Sequence, residues 1–134
     1  MERIQLGIAE DNHRYRKNFI NELILNHSDE ILITLEAVNG SDLLQKLKFC
    51  QPQIILMDID MPVMDGIEAT LHVRDLYPEI KVVVFTQFDI ENNIIEMNLL
   101  GTKSFLGKSQ STEEIISAIK IVNSGGIYYP KEVE

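Results

Sequence analysis

Several short apolar runs in this chain end in residues that can do chemistry. Glu10-Asp11 follows Ile4 to Ala9, Asp58 follows Ile54 to Met57, Thr86 follows Val82 to Phe85, and Lys108 follows Thr102 to Gly107. Carboxylates brought close together disfavour joint ionisation unless a cation neutralises them. An all-oxygen set with few ligands suits Mg2+ that keeps part of its water shell, with Mn2+ as the alternative ion. A hydroxyl from Thr86 and an ammonium from Lys108 are suited to the oxygens of a phosphoryl group. Each residue alone has a plainer reading. Asp11 or Asn12 caps a helix, Asp58 and Asp60 sit in a solvated loop, Thr86 ends a strand for structural reasons, and Lys108 faces water. Their joint occurrence carries the chemical reading.

Such residues meet only if the chain brings the ends of those runs together. The runs, together with Ile31 to Val38, are short and rich in β-branched residues, which predicts five strands. Helical spacing appears between and after them, at Tyr15, Phe19 and Leu23; Leu43, Leu44 and Leu47; Ile67 and Leu71; Ile90, Ile94 and Met97; and Ile115, Ile119 and Val122. Asp42 and Asp89 suit early helical turns, Ser111-Thr112-Glu113-Glu114 has capping-box spacing, and Gly125-Gly126 closes the last helix. Ile54 to Met57 and Val82 to Phe85 do not alternate, as expected of strands covered by helices on both faces of a parallel sheet. In such a doubly wound sheet, ligands collect at the carboxyl ends of the strands, and the first and third strands are neighbours where the winding reverses. Glu10, Asp11 and Asp58 then share one cleft.

The remaining features narrow the function classes. The 134 residues suit a single domain, and a 45% hydrophobic content supplies its core. A formal charge of -9 without any Lys/Arg-rich run predicts no direct nucleic-acid binding and no association with an anionic membrane. The single cysteine, Cys50, excludes an intrachain disulfide and fits a small residue near a helix end in a reducing cytoplasm. His13, His27 and His72 share no ligand spacing and are read as surface residues. No apolar stretch has the length of a membrane span.

The segment Ile55-Leu56-Met57-Asp58-Ile59-Asp60-Met61-Pro62-Val63-Met64-Asp65-Gly66 resembles the phosphoacceptor segment of bacterial response regulator receiver domains, and the resemblance covers essentially the whole chain. It implies a flavodoxin-like (βα)5 fold with strand order 2-1-3-4-5. It also implies that Asp58 attacks a phosphohistidine on a sensor histidine kinase. Glu10, Asp11, Asp58 and the backbone carbonyl of Asp60 are then the Mg2+ ligands, Thr86 and Lys108 contact the phosphoryl group, and Phe105 moves inward with Thr86 as a switch. Read from its type alone, Phe105 is a core aromatic of the fifth strand, and both roles stay open. Asp58 would form an acyl phosphate while the cation and Lys108 offset the charge of in-line transfer. The protein would modify only itself, without multiple turnover. The tail Gly125-Gly126-Ile127-Tyr128-Tyr129-Pro130 resembles receivers that precede a LuxR-type helix-turn-helix domain. One receiver domain over 1–134 is expected, with a core of about 3–124 and an exit segment, 125–134, towards an output domain that controls transcription. A homodimer on phosphorylation fits the same resemblance.

Three features depart from the family pattern. Gln87 follows Thr86 where most members have a small residue and bears on phosphotransfer rate, Asp60 adds an acid beside the cleft, and Ser109 stands where many receivers carry proline, which predicts a more mobile fifth loop. Asp60, Gln87 and Phe88 are expected to tune the lifetime of the phosphorylated state. The rival readings are a haloacid-dehalogenase-like phosphohydrolase, for which Asp58-Ile59-Asp60 would be the acid pair, and a receiver-like interaction module that is never phosphorylated. A flavin carrier is excluded because the loop Glu10-Asp11-Asn12-His13 is acidic where a flavin phosphate needs donors.

Overall fold

The computed structural model describes residues 2–86, 102, 104–107 and 110–128, with Thr86 included as strand backbone only. Five parallel strands, β1 (Ile4–Ala9), β2 (Ile31–Ala37), β3 (Ile54–Asp58), β4 (Lys81–Thr86) and β5 (Ser104–Gly107), form one sheet in the order β2-β1-β3-β4-β5. The order and the parallel sense are those expected from the sequence. Strand bounds shift by one or two residues: β2 ends at Ala37 rather than Val38, β3 ends at Asp58 rather than Met57, β4 runs Lys81–Thr86 rather than Val82 to Phe85, and β5 starts at Ser104 rather than Thr102. The described helices are α1 (His13–His27), α2 (Gly40–Leu47), α3 (Gly66–Leu76) and α4 (Thr112–Asn123). The helix expected around Ile90, Ile94 and Met97, with Asp89 at its start, lies outside the described residues.

Side chains from alternate positions of the central strands divide the core into two layers. Ile54 and Leu56 of β3 pack with α1 and α4 on one face, while Ile55 and Met57 pack with α2 and α3 on the other. Every residue of β3 is buried, which is why its sequence lacks polar alternation.

The second strand breaks the simple alternation. Leu6 pairs with Ile33 but Gly7 pairs with Leu35, leaving Thr34 as the extra residue of a bulge. Ile31 and Ile33 therefore face the α1 layer, whereas Leu35 and Ala37 face the α2 layer, although all four are odd-numbered. The bulge also turns Glu36, the partner of Ile8, towards α1.

Each described helix starts on a side chain that accepts an otherwise unpaired amide hydrogen. Asn12 accepts from Tyr15 N, Asn39 from Asp42 N and Asp65 from Glu68 N. Ser111 and Glu114 form the expected capping box. Asp42 sits in the first turn of α2 and returns a carboxylate to the amide of Val38 at 3.0 Å. At the end of α4, Gly125 adopts φ 99°, and the amides of Gly125 and Gly126 reach back to Val122 O and Ile121 O. This is a left-handed helix stop that a glycine provides without side-chain strain.

Val63, between β3 and α3, has φ 70° and is solvent-exposed, in a tight turn where Met64 N donates to Pro62 O at 2.7 Å. A β-branched residue is strained there. Val63→Gly is expected to raise stability by about 0.5–1 kcal/mol, since relief of the left-handed strain exceeds the entropy of the added glycine. Urea unfolding checks this, and a lower midpoint for the glycine protein would refute it.

Candidate functional site

The carboxyl edge of the sheet gathers the acids that the sequence singles out. Ala9 and Met57 are register partners in the β1–β3 pair, so Glu10 and Asp58, one residue further along each strand, emerge side by side. Carboxylate oxygens of Glu10, Asp11 and Asp58 lie within 4.8 Å of one another. Glu10 and Asp58 are buried, with 0% and 2% exposure, while Asp11 faces solvent. The cluster thus has a buried floor and one open side.

Local hydrogen bonds hold this floor. The amide of Glu10 donates to Ala37 O at 3.0 Å, and its Oε2 accepts from Asn12 N at 2.9 Å. Asn12 is also the α1 cap, so the capping reading and the acid-cluster reading hold together at adjacent residues. Beyond Asp58, Ile59 N reaches Phe85 O at 3.3 Å and Gly66 N reaches Ile59 O at 2.8 Å. Asp58 Oδ1 accepts the Asp60 amide at 3.3 Å, while Asp60 itself is solvent-exposed.

The donor set fits a hard divalent cation. Octahedral Mg2+ with bonds of about 2.0–2.1 Å holds its ligand oxygens about 3–4 Å apart, so the three carboxylates need only a small inward adjustment. The acidic cluster supplies the oxygen ligands that such an ion takes.

The other expected site residues are placed as follows. Thr86 closes β4 and pairs with Gly107, the last residue of β5. Phe105 is fully buried in the layer with α2 and α3 and pairs with Val84, as a core aromatic of β5. Lys108, Gln87, Phe88 and Ser109 lie outside the described residues. His13 and His72 are exposed, but His27 differs from the surface reading. Its ring is largely covered between Glu30 and Glu113, at 3.6 and 3.7 Å, because α4 packs beside the end of α1.

Sequence reasoning missed two neighbours of the cluster. Tyr15, read as a core position of α1, stacks on Phe19 and Phe85 with ring centroids 6.4 and 5.8 Å apart. Burial, followed by the charges of Glu10, Asp58 and Glu22, pushes its hydroxyl up from 10.0 to about 12. Because the folded value exceeds the unfolded one, the associated stability is present below pH 10 and is lost as pH rises towards 12. Asp58→Asn is expected to lower the Tyr15 midpoint while leaving it above 10, since burial is the larger cause. NMR of ring-labelled tyrosine checks this, and an unmoved midpoint would contradict it. The second neighbour is Arg16, which lies among charged residues in sequence yet is 7% exposed.

A family model described as Response regulator receiver domain matches residues 6–120. The chain belongs to that family. This receiver is 31% identical over 130 residues to the transcriptional regulatory protein DegU of Brevibacillus brevis, covering 96% of the chain and 54% of that protein. It is 33% identical over 130 residues to the transcriptional regulatory protein LnrK of Bacillus subtilis, covering 97% and 58%. The receiver therefore spans a little over half the length of these curated relatives. A solved DNA-binding response regulator of the LuxR family from Staphylococcus aureus superposes with a TM-score of 0.80 at 29% identity, covering 90% of this chain and 98% of that one. Among the described residues, no helix is long and apolar enough to cross a membrane.

Proposed function

We propose that this receiver accepts a phosphoryl group on Asp58 from a phosphohistidine of a sensor histidine kinase. The observation that carries the reading is the meeting of Glu10, Asp11 and Asp58 oxygens within 4.8 Å at the carboxyl edge of the sheet. An Asp58 oxygen attacks phosphorus, the P–N bond to the kinase imidazole breaks, and the imidazole leaves with the electron pair and takes up a proton. Glu10, Asp11, Asp58 and the Asp60 carbonyl hold Mg2+, which when bound offsets the negative charge of the phosphoryl oxygens. Lys108 pairs with the transferred group and Thr86 turns towards it.

The product is useful only if it favours a second arrangement of the protein. Thr86 and Phe105 are that two-state element, with Asp60, Gln87 and Phe88 setting how long the acyl phosphate lasts. The receiver modifies itself and does not turn over a substrate pool. The core of about 3–124 passes through 125–134 to a DNA-binding output domain, and phosphorylation promotes a homodimer that controls transcription in the cytoplasm. The net charge of -9 supports leaving DNA contact to that other domain.

Incubation with acetyl phosphate and Mg2+, followed by intact-mass measurement, tests the reading. One phosphoryl adduct is expected, absent when a chelator is present from the start of the incubation, and borohydride reduction should mark residue 58. No adduct, or an adduct located elsewhere, would overturn the proposal.

A further inference from the structure

Arg16 stands in the second turn of α1 and is buried, while Arg14 and Lys17 beside it are exposed. A guanidinium leaves water only when its donors find partners. Nη1 donates to the backbone carbonyl of Glu10 at 2.6 Å, and Nε donates to Glu36 Oε1 at 3.2 Å. Nη2 lies 3.1 Å from His13 Nδ1, and because a guanidinium can only donate, the ring nitrogen accepts. The planar fork thus joins the end of β1, the first turn of α1 and β2.

The shortest of these contacts falls on the peptide between Glu10 and Asp11. The amide of Glu10 is fixed by Ala37 O and its carboxylate by Asn12 N, so the Arg16 bond determines the remaining freedom, the tilt of its carbonyl. That tilt sets the direction in which Asp11 leaves the strand. The Asp11 carboxylate is exposed and has no hydrogen bond among the described residues, so its aim depends on the backbone.

We propose that Arg16 is a positioning residue for the divalent cation. It clamps the Glu10–Asp11 peptide so that both carboxylates converge on Asp58, and Glu36 aims the clamp. This inference rests on the reading of Glu10, Asp11 and Asp58 as a metal site. It carries a sign that separates it from simple electrostatics. Arg16 is itself a cation, so if it acted through charge alone, its removal would tighten Mg2+ binding; if it positions the ligands, its removal weakens binding.

Calorimetric titration of the parent, Arg16→Met, Arg16→Lys and Glu36→Gln proteins with Mg2+, together with unfolding midpoints in metal-free buffer, provides the test. Arg16→Met is expected to weaken Mg2+ by about tenfold to a hundredfold. Arg16→Lys should recover part of that loss, since an ammonium can reach the carbonyl but cannot fork. Glu36→Gln should weaken Mg2+ by less than about tenfold. Unchanged or tighter binding by folded Arg16→Met overturns the inference, as does a lowered metal-free midpoint with unaltered affinity. If Arg16→Met does not fold, unchanged affinity in both other variants overturns it equally. A parent protein that binds no Mg2+ removes the metal-site reading and this inference together, whereas a parent that binds beside unaffected variants removes this inference alone.

Discussion

Asp58→Asn is expected to take up phosphoryl groups from acetyl phosphate at least about a thousandfold more slowly than the parent. The amide has the size and shape of the carboxylate, so it fits a position that is 2% exposed, and its oxygen still accepts the Asp60 amide that Asp58 Oδ1 accepts at 3.3 Å. What it lacks is the negative charge that makes the oxygen a nucleophile. Asp58 is one of three clustered carboxylates proposed to hold the metal, so on that reading Mg2+ affinity should also fall by about tenfold or more. Intact-mass kinetics and metal titration read the two effects separately, with circular dichroism to show that the fold is kept. Equal adduct on both proteins would sink the assignment of Asp58.

Gly66→Ala is expected to destabilise the protein by about 3 kcal/mol or more and to impair phosphoryl uptake as well. A Cβ on Gly66 would stand 2.1 Å from the Asp58 carbonyl oxygen and 2.9 Å from Ile59 Cα, both backbone atoms with no flexible side chain to move aside. Gly66 is also fixed from both sides, with its amide on Ile59 O at 2.8 Å and its carbonyl accepting from Thr70 Oγ1 at 2.6 Å. The strand end that presents Asp58 would have to shift. Denaturant unfolding and uptake assays should both register the change. A Gly66→Ala protein with the parent's stability would show that this close approach is not needed.

Gly66 stood within the motif that the sequence displays, but the reason for a glycine there did not. The contact is between α3's first residue and the backbone of the preceding strand end, and only the packed loop brings them together. Tyr15 shows the same limit. Helical spacing places it on the core side of α1, whereas its closeness to the acids depends on where α1 lies across β3 and β4. Arg16 was illegible for a stronger reason. Its neighbours Arg14 and Lys17 suggest a solvated stretch, and its carboxylate partner Glu36 is 20 residues away. That partner reaches it only because the bulge at Thr34 reverses the facing of the second half of β2.

The sequence by itself determined the alternation of strands and helices, the parallel sheet, the capping box at Ser111 and the acids at the strand ends, and it narrowed the α1 cap to Asp11 or Asn12, of which the structure selects Asn12. These are local properties: apolar runs, helical periods and cap side chains act within a few residues, and a parallel sheet then has few ways to wind. Tertiary structure alone decided the register of β2 on β1, the burial of Arg16 and the approach of Gly66 to Asp58. Each of these depends on atoms distant in sequence or on a loop whose path is set by the elements it joins. The acids were therefore visible as residues, while the framework that aims them emerged only from packing.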